Sequence, residues 1–581
     1  MLKKSASAWR WAGQPRCVML GVGAGAAAHF VAIWQAWKTD PQRPLQLHYL
    51  AIAGAAPAPG TVPPALRSVW PLVLPGWHRI ALEHGSVTLD LMFGAPDACL
   101  AQVDARIDCF WLDGIEMVST HFASRLARLA APGAALVAPG AQAQVLAAAG
   151  FVCSPFSDVG AGVDPVHAIF AGRQPRQMQA TRPGPRHAIV IGAGLAGACA
   201  CERLTARGWR VTLIERHPQP AQEASGNVAG IFMPQLSQDD NPATRLSRAA
   251  YLFALRQWQR LGTPATHCGV LQLARNPAHA LVQRKIAARW DYPPQFATWL
   301  EADAASALLG APAPDGGWLF PQGGWANPAS VCRVMLQACG ARLQRLFSSE
   351  ALQLQRVDGE WQVHAAAGDH SLCMLASAPT LVLANGCGAT AFAQASGLPL
   401  TAVRGQVTHL ARGALPELPL VVCRDAYITP PSTPPSKPGA DAIVSVGASY
   451  DLDGGCALRA SSQHGNLQKI AALLALPSVI DAPLAGRVGF RSVAPDRLPL
   501  VGALPDHGHG GHVRHIERLL DVPRWPGLYG LLGYASRGLI WAPLAAELLA
   551  AQLDGEPLPI ESSLAQALDP GRFLLKARRR A

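Results

Sequence analysis

Charge is scarce in this chain. Only 15% of its residues are Asp, Glu, Lys or Arg, against 50% hydrophobic. That excludes a disordered, solvating polymer and leaves a globular chain able to bury a core. Paired cysteine motifs are missing. The 13 cysteines are odd in number and scattered, and none stands in a C-x-x-C. Neither a disulfide framework nor a zinc site is expected, and free thiols suit a reducing cytoplasm. No fixed-period repeat occurs, which removes repeat architectures. An uninterrupted lipid-facing run is missing too. Cys17 to Trp37 is apolar and follows Lys3, Lys4, Arg10 and Arg16, but Gly21, Gly23, Gly25, His29 and Gln35 interrupt it. A strand, a Gly-rich turn and a buried helix account for the same residues, so no membrane partner is expected.

What is present is length and positive charge. A chain of 581 residues exceeds one core, so two or three domains are expected. The net charge of +11 suits a polyanion such as RNA. Basic residues gather at Arg173, Arg176, Arg182 and Arg186, and again at Lys576, Arg578, Arg579 and Arg580. The sequence divides into a domain over 1–172, a linker rich in Arg, Pro and Gln over 173–186, and a second domain over 187–581. Pro430 to Pro435 reads as a stiff exposed loop.

The second domain opens on a dinucleotide fingerprint. His187 to Ile191 is a short buried strand, Gly192-Ala193-Gly194-Leu195-Ala196-Gly197 the turn, and a helix continues through Arg207 to its stop at Gly208. Arg210 to Ile214 forms the next strand, ended by Glu215, 18 residues beyond the last glycine. Gly192 permits the tight turn, Gly194 lets the backbone approach a pyrophosphate, and Gly197 lets the helix pack on the strand. Free N–H groups and the helix dipole favour the anion there, and Glu215 is placed to accept ribose hydroxyls. The turn alone does not separate FAD from NAD. Residues beyond Glu215 favour the longer cofactor: Ser225, Gly226, Asn227 and Gly230 form a small polar stretch after the acid. Far downstream Gly533, Arg537 and Gly538 mark a second glycine-lined helix start, its helix read over Pro543 to Gln552.

Residues 187–572 resemble the D-amino-acid-oxidase-like flavoproteins. More closely they resemble the C-terminal half of the bifunctional tRNA 5-methylaminomethyl-2-thiouridine biosynthesis proteins. The resemblance is carried, in order, by the Gly192 turn, Ala224-Ser225-Gly226-Asn227, Met233-Pro234-Gln235-Leu236-Ser237, Pro321-Gln322-Gly323-Gly324-Trp325 and Leu383-Ala384-Asn385-Gly386. Arg404-Gly405-Gln406-Val407, Tyr427-Ile428-Thr429-Pro430, Gly489-Phe490-Arg491 and Asp496-Arg497-Leu498-Pro499-Leu500-Val501-Gly502 continue it. The resemblance implies an α/β chain: a Rossmann-like methyltransferase-type domain, then an FAD-binding Rossmann domain with an inserted mixed-sheet substrate domain. FAD-binding parts fall roughly at 187–265, 325–390 and 485–560, and substrate parts at 266–324 and 391–484. It implies a cytoplasmic FAD oxidoreductase acting on a tRNA wobble uridine, with molecular oxygen as electron acceptor. The carboxymethyl arm of a carboxymethylaminomethyl group is lost and an aminomethyl group remains.

Such chemistry requires a grip on the carboxylate. The resemblance places Arg491 at the family's carboxylate-binding position, and a guanidinium fork there would fix a carboxylate in direction as well as charge. Tyr427 is expected to donate its hydroxyl to that carboxylate or to shape the pocket wall. No catalytic histidine is needed if the amine enters neutral. The glycine-spaced His507, His509, His512 and His515 read as a flexible insertion rather than a metal site.

Residues 8–172 resemble the methyltransferase half of the same family through Arg10-Trp11-Ala12-Gly13, Phe30 to Trp37, Leu89 to Gly94 and Trp111-Leu112-Asp113-Gly114. S-adenosylmethionine is the cofactor the family implies. Here Gly21 stands at an acidic position, Ala27 at a loop glycine, Ala53 at the ribose-binding acid and Ala95 at a further acid, and Ile115-Glu116-Met117 replaces the catalytic loop. These departures predict a domain that folds without methylating. Two other readings stand beside the first: an FAD oxidase of free glycine, sarcosine or D-amino acids, and a non-enzymatic tRNA-binding scaffold.

Overall fold

The computed structural model describes residues 11, 13–54, 62–113, 118–155, 165–172, 185–367, 371–433, 441–476, 484–508 and 516–578. The chain divides into two compact units. One comprises residues 1–183 with 551–565, the other 184–550 with 566–581. The boundary at 183 falls within the expected linker, whose residues 173–184 lie outside the described ones. The segment 551–565, expected from sequence in the second domain, clusters with the first unit. It is tied there by polar contacts: Arg79 holds Asp90 through two hydrogen bonds of 2.8 Å and donates a third, of 2.7 Å, to the carbonyl of Pro557.

The first unit is built on an eight-stranded sheet. Its spatial order is Gly76–Leu82, Val87–Phe93, Gln46–Gly54, Arg16–Val22, Ile107–Leu112, Ala130–Pro139, Pro165–Phe170 and Phe151–Pro155. The four middle pairings are parallel and the outer ones antiparallel. Strands buried on both faces read as continuous apolar runs, which is why Cys17 to Val22 resembles a membrane segment. The expected strand, turn and helix are there: Arg16–Val22, then Ala26–Thr39. Among the described residues no helix is long and apolar enough to cross a membrane.

The second unit holds two large sheets. The first, of six strands, has the order Leu343–Leu346, Arg210–Ile214, His187–Ile191, Thr380–Leu383, Arg524–Leu532 and Leu500–Pro505, parallel up to its last, antiparallel pair. The second, of eight strands, carries Val421–Cys423, Tyr427–Ile428, Ile443–Gly447, Thr401–Ala411 and Ala485–Val493 as successive neighbours. Each sheet has its own buried apolar cluster. The fingerprint strands match their expected bounds, and the helix between them spans Leu195–Ala206.

Two expectations differ. The C-terminal helix is Gly538–Asp554 with Pro543 inside it, not a helix opened by that proline. Gly538 at its start packs closely on Leu195: a Cβ there would stand 3.1 Å from that side chain. The Pro430 loop is not simply exposed: Ser432 is buried and pairs with Ile443, whereas Pro434 and Pro435 lie outside the described residues.

Candidate functional site

A cavity of about 880 Å³ opens in the second unit, a size suited to a large cofactor with a substrate. Its wall includes Gly192, Gly194, Glu215, Ser225, Asn227 and Gly230 at one part, and Gly533, Arg537 and Gly538 at another; Tyr427 and Arg491 line it too. Gly197 and Gly226 do not. A Cβ on Gly197 would stand 1.8 Å from the carbonyl oxygen of Gly192, so it serves helix–strand packing. A Cβ on Gly226 would fall 2.3 Å from the Arg487 guanidinium. Gly192 has φ +103°, a conformation that favours glycine, with the backbone of Ala384 pressed against it.

Polar groups of the turn are held ready. Glu215 accepts from the N–H of Ala193 at 2.7 Å and of His217 at 3.0 Å, which locks its carboxylate at the strand end. The N–H of Leu195, at the first turn of the helix, donates to the Ser225 hydroxyl at 3.1 Å. Arg487, not foreseen from sequence, braces the stretch after the acid by donating to the carbonyls of Gln222 and Glu223 and to Asn227. Burial, reinforced by Arg497, pulls the Arg537 pKa down to about 10, the mark of a cation short of compensating charge.

Arg491 lies on the strand Ala485–Val493 and Tyr427 two strands beyond its neighbour, both on the eight-stranded sheet. The bare α-carbon of Gly405 makes the seat for Arg491: a Cβ there would stand 2.2 Å from its guanidinium. Arg491 donates to the carbonyls of Ser449 at 3.2 Å and Arg404 at 3.4 Å, and among the described residues no carboxylate forms an ion pair with it. Burial lowers its pKa, and Tyr427 opposes that shift. Burial pushes the Tyr427 phenol up to about 12, so it stays protonated and able to donate. Tyr450 also lines the cavity and is 57% exposed. Sequence held no signal that separates it from a core tyrosine.

In the first unit the chain packs closely on its own glycine turn. A Cβ on Gly21 would stand 2.1 Å from the Tyr49 hydroxyl, one on Gly23 1.7 Å from the Asp113 carbonyl, and one on Gly25 2.1 Å from the Asp113 carboxylate. Tyr49 is fully buried and its pKa lies well above the ordinary value, through burial and then the charge of Asp113. Burial lowers His29 to about 4. The Tyr49 hydroxyl and Nδ1 of the neutral imidazole share a hydrogen bond of 2.7 Å. The His29 ring stacks on Trp111 at 4.2 Å. Ala53 carries no group for a ribose. Residues 114–117 lie outside the described ones.

All 13 cysteines are unpaired. Among the described residues no His, Cys, Asp and Glu cluster suits a metal ion. His509, His512 and His515 fall outside them.

Comparison with known proteins decides the family. Residues 187–552 match the model of FAD dependent oxidoreductases, and 62–162 that of S-adenosyl-L-methionine-dependent methyltransferases. The tRNA 5-methylaminomethyl-2-thiouridine biosynthesis bifunctional protein of Cupriavidus necator is 39% identical over 628 residues, covering 98% of this chain and 92% of that one. That of Azoarcus sp. is 40% identical over 600 residues with the same coverage. The chain belongs to this bifunctional family. It is an FAD-dependent oxidoreductase, and S-adenosylmethionine is the second cofactor of the family. The fold is shared with L-proline dehydrogenase from P. horikoshii (TM-score 0.51, 15% identity, 68% of this chain and 99% of that one). It is shared too with an Amadoriase I mutant from Aspergillus fumigatus (TM-score 0.52, 17% identity, 68% and 91%).

Proposed function

We propose that this protein removes the carboxymethyl arm from 5-carboxymethylaminomethyl(-2-thio)uridine at the tRNA wobble position, leaving the 5-aminomethyl form. The observation that carries the reading is one cavity lined both by the Gly192 turn with Glu215 and by the pair Arg491 and Tyr427. The family relatives named for tRNA 5-methylaminomethyl-2-thiouridine biosynthesis support the substrate class.

The residues present fit FAD. The bare Gly194 and the N–H groups of the helix start would hold its pyrophosphate and Glu215 its ribose, and Gly533 and Gly538 line the same cavity. Bound there, FAD would supply the acceptor for hydride from the carbon between amine and carboxylate; water then hydrolyses the resulting substrate imine, releasing the arm as glyoxylate and leaving the aminomethyl group. Arg491 grips the substrate carboxylate through two N–H groups and so fixes which C–H bond is presented. Tyr427 donates its hydroxyl to the same carboxylate. No side chain has to remove a proton if the amine is bound neutral. Molecular oxygen takes the electrons, and the enzyme works in the cytoplasm. The net charge of +11 draws in the tRNA backbone.

The first unit does not fit S-adenosylmethionine. Ala53 and Ala95 carry no group to grip the cofactor, and Tyr49 and Asp113 pack against Gly21, Gly23 and Gly25, so we infer that the domain no longer methylates and that another protein carries the product further.

Anaerobic mixing of flavin-loaded protein with tRNA bearing the carboxymethylaminomethyl group tests the reading. Loss of the oxidised flavin spectrum, with 5-aminomethyluridine in the digested tRNA, is expected. Bleaching by glycine, sarcosine or D-amino acids but not by the tRNA would make it a free amino acid oxidase. Protein without flavin would make it a scaffold.

A further inference from the structure

Tyr450 is a large side chain held out at the cavity wall by a rigid support. Its backbone is pinned on both sides. Arg404, fully buried, exchanges backbone hydrogen bonds with Asp451 at 2.8 and 3.0 Å and holds its carboxylate at 3.0 Å. It also donates to the carbonyls of Gly455 and Ala457, each at 2.7 Å. The Ser449 hydroxyl donates to the Asp451 carboxylate at 2.8 Å and accepts from the N–H of Gln406 at 3.1 Å. A buried arginine, a serine and an aspartate thus fix a segment in which residue Tyr450 stays 57% exposed and nearby Leu452 77% exposed. Scattered apolar residues on a surface need no explanation, but this ring lines the flavin-site cavity and lies 5.7 Å from the Arg491 guanidinium.

We propose that Tyr450 is the stacking platform for the pyrimidine base of the substrate. The inference rests on the proposed reaction. In a carboxymethylaminomethyl group four bonds separate the carboxylate carbon from the ring carbon that bears the arm, a span of about 5 Å when extended. A carboxylate in the Arg491 fork therefore brings the base to the neighbourhood of the Tyr450 ring. An aromatic face suits a planar base, and a pre-fixed ring loses little conformational freedom on binding. The platform distinguishes a nucleoside from a small amino acid that Arg491 alone would accept. It makes Tyr450 a specificity residue, with no part in the bond-breaking step.

The test uses full-length, flavin-loaded protein and the free nucleoside 5-carboxymethylaminomethyluridine. Anaerobic flavin bleaching at a series of concentrations separates half-saturation from limiting rate. Y450A is expected to raise half-saturation about 10- to 100-fold, with the effect falling there rather than on the limiting rate. Y450F and Y450W restore it, and Y450L does not. Calorimetry with 5-aminomethyluridine, which keeps the base and lacks the carboxylate, gives the same order of variants. Half-saturation within about threefold of wild type in Y450A, or rescue by leucine equal to that by phenylalanine, overturns the platform while leaving the reaction standing. A wild-type flavin that neither the nucleoside nor the modified tRNA bleaches counts against the proposed substrate itself and takes this inference with it.

Discussion

The guanidinium of Arg491 lies where a side chain on Gly405 would be: a Cβ built there falls 2.2–2.5 Å from three of its atoms. The obstacle is the far end of a flexible side chain, so Gly405→Ala is expected to fold and bind flavin while pushing Arg491 out of its seat. Arg491→Ala removes the proposed anchor outright. Losing a bidentate charged contact costs roughly 2–4 kcal/mol in transition-state stabilisation, about 30- to 1,000-fold in kcat/KM. Steady-state kinetics on the modified tRNA, with flavin content measured in parallel, checks both variants. Unchanged kcat/KM in Arg491→Ala removes the anchor from the mechanism.

Gly194 tests the cofactor's place. A Cβ there would touch only the Ser225 side chain, its hydroxyl at 3.1 Å, so the fold tolerates a larger residue. The same side chain would stand in the path of the pyrophosphate. Gly194→Val is expected to purify folded, by circular dichroism and thermal melting, but without flavin absorbance. Flavin at the wild-type level in that variant would place the pyrophosphate elsewhere.

The Tyr49 hydroxyl against Gly21 carries the claim about methyl transfer. Calorimetry with S-adenosylmethionine is expected to show no binding at micromolar concentrations. Mass analysis of tRNA incubated with both cofactors is expected to stop at the 5-aminomethyl mass. Micromolar affinity together with a methylated wobble base would refute that claim.

His29 adds a pH signature. Its pKa is about 4 in the folded protein against an ordinary 6.5, lowered by burial. The unfolded chain therefore binds the extra proton first. The stabilisation is fully present above pH 6.5 and is lost as pH falls toward 4, by about 3 kcal/mol in all. Chemical denaturation of the N-terminal unit between pH 7 and 4 measures it. His29→Gln is expected to flatten that slope, and an unaltered slope would assign the acid sensitivity to other groups.

Local rules reached far into this chain. Strand bounds at His187–Ile191 and Arg210–Ile214 derive from apolar runs, glycine punctuation and a terminal acid, all within 30 residues. Gly192 and Gly194 were legible for the same reason. Tyr427 and Arg491 came only through resemblance, because strands far apart in sequence bring them to one wall. What stayed hidden depends on long-range packing: Arg487 bracing the Gln222–Asn227 stretch, Gly405 seating Arg491, Tyr49 packing on the Gly21 turn, and the exposure of Tyr450. The helix over Gly538–Asp554 was misplaced because a proline usually marks a first turn, whereas here Pro543 lies inside the helix.

The wobble nucleoside of tRNA from cells lacking this protein tests the central claim most directly. Digested tRNA is expected to accumulate 5-carboxymethylaminomethyl(-2-thio)uridine and to lose the aminomethyl form and everything made from it. Restoring the wild-type chain should reverse this, and restoring Arg491→Ala should not. A wobble nucleoside profile unchanged by the loss would contradict the account.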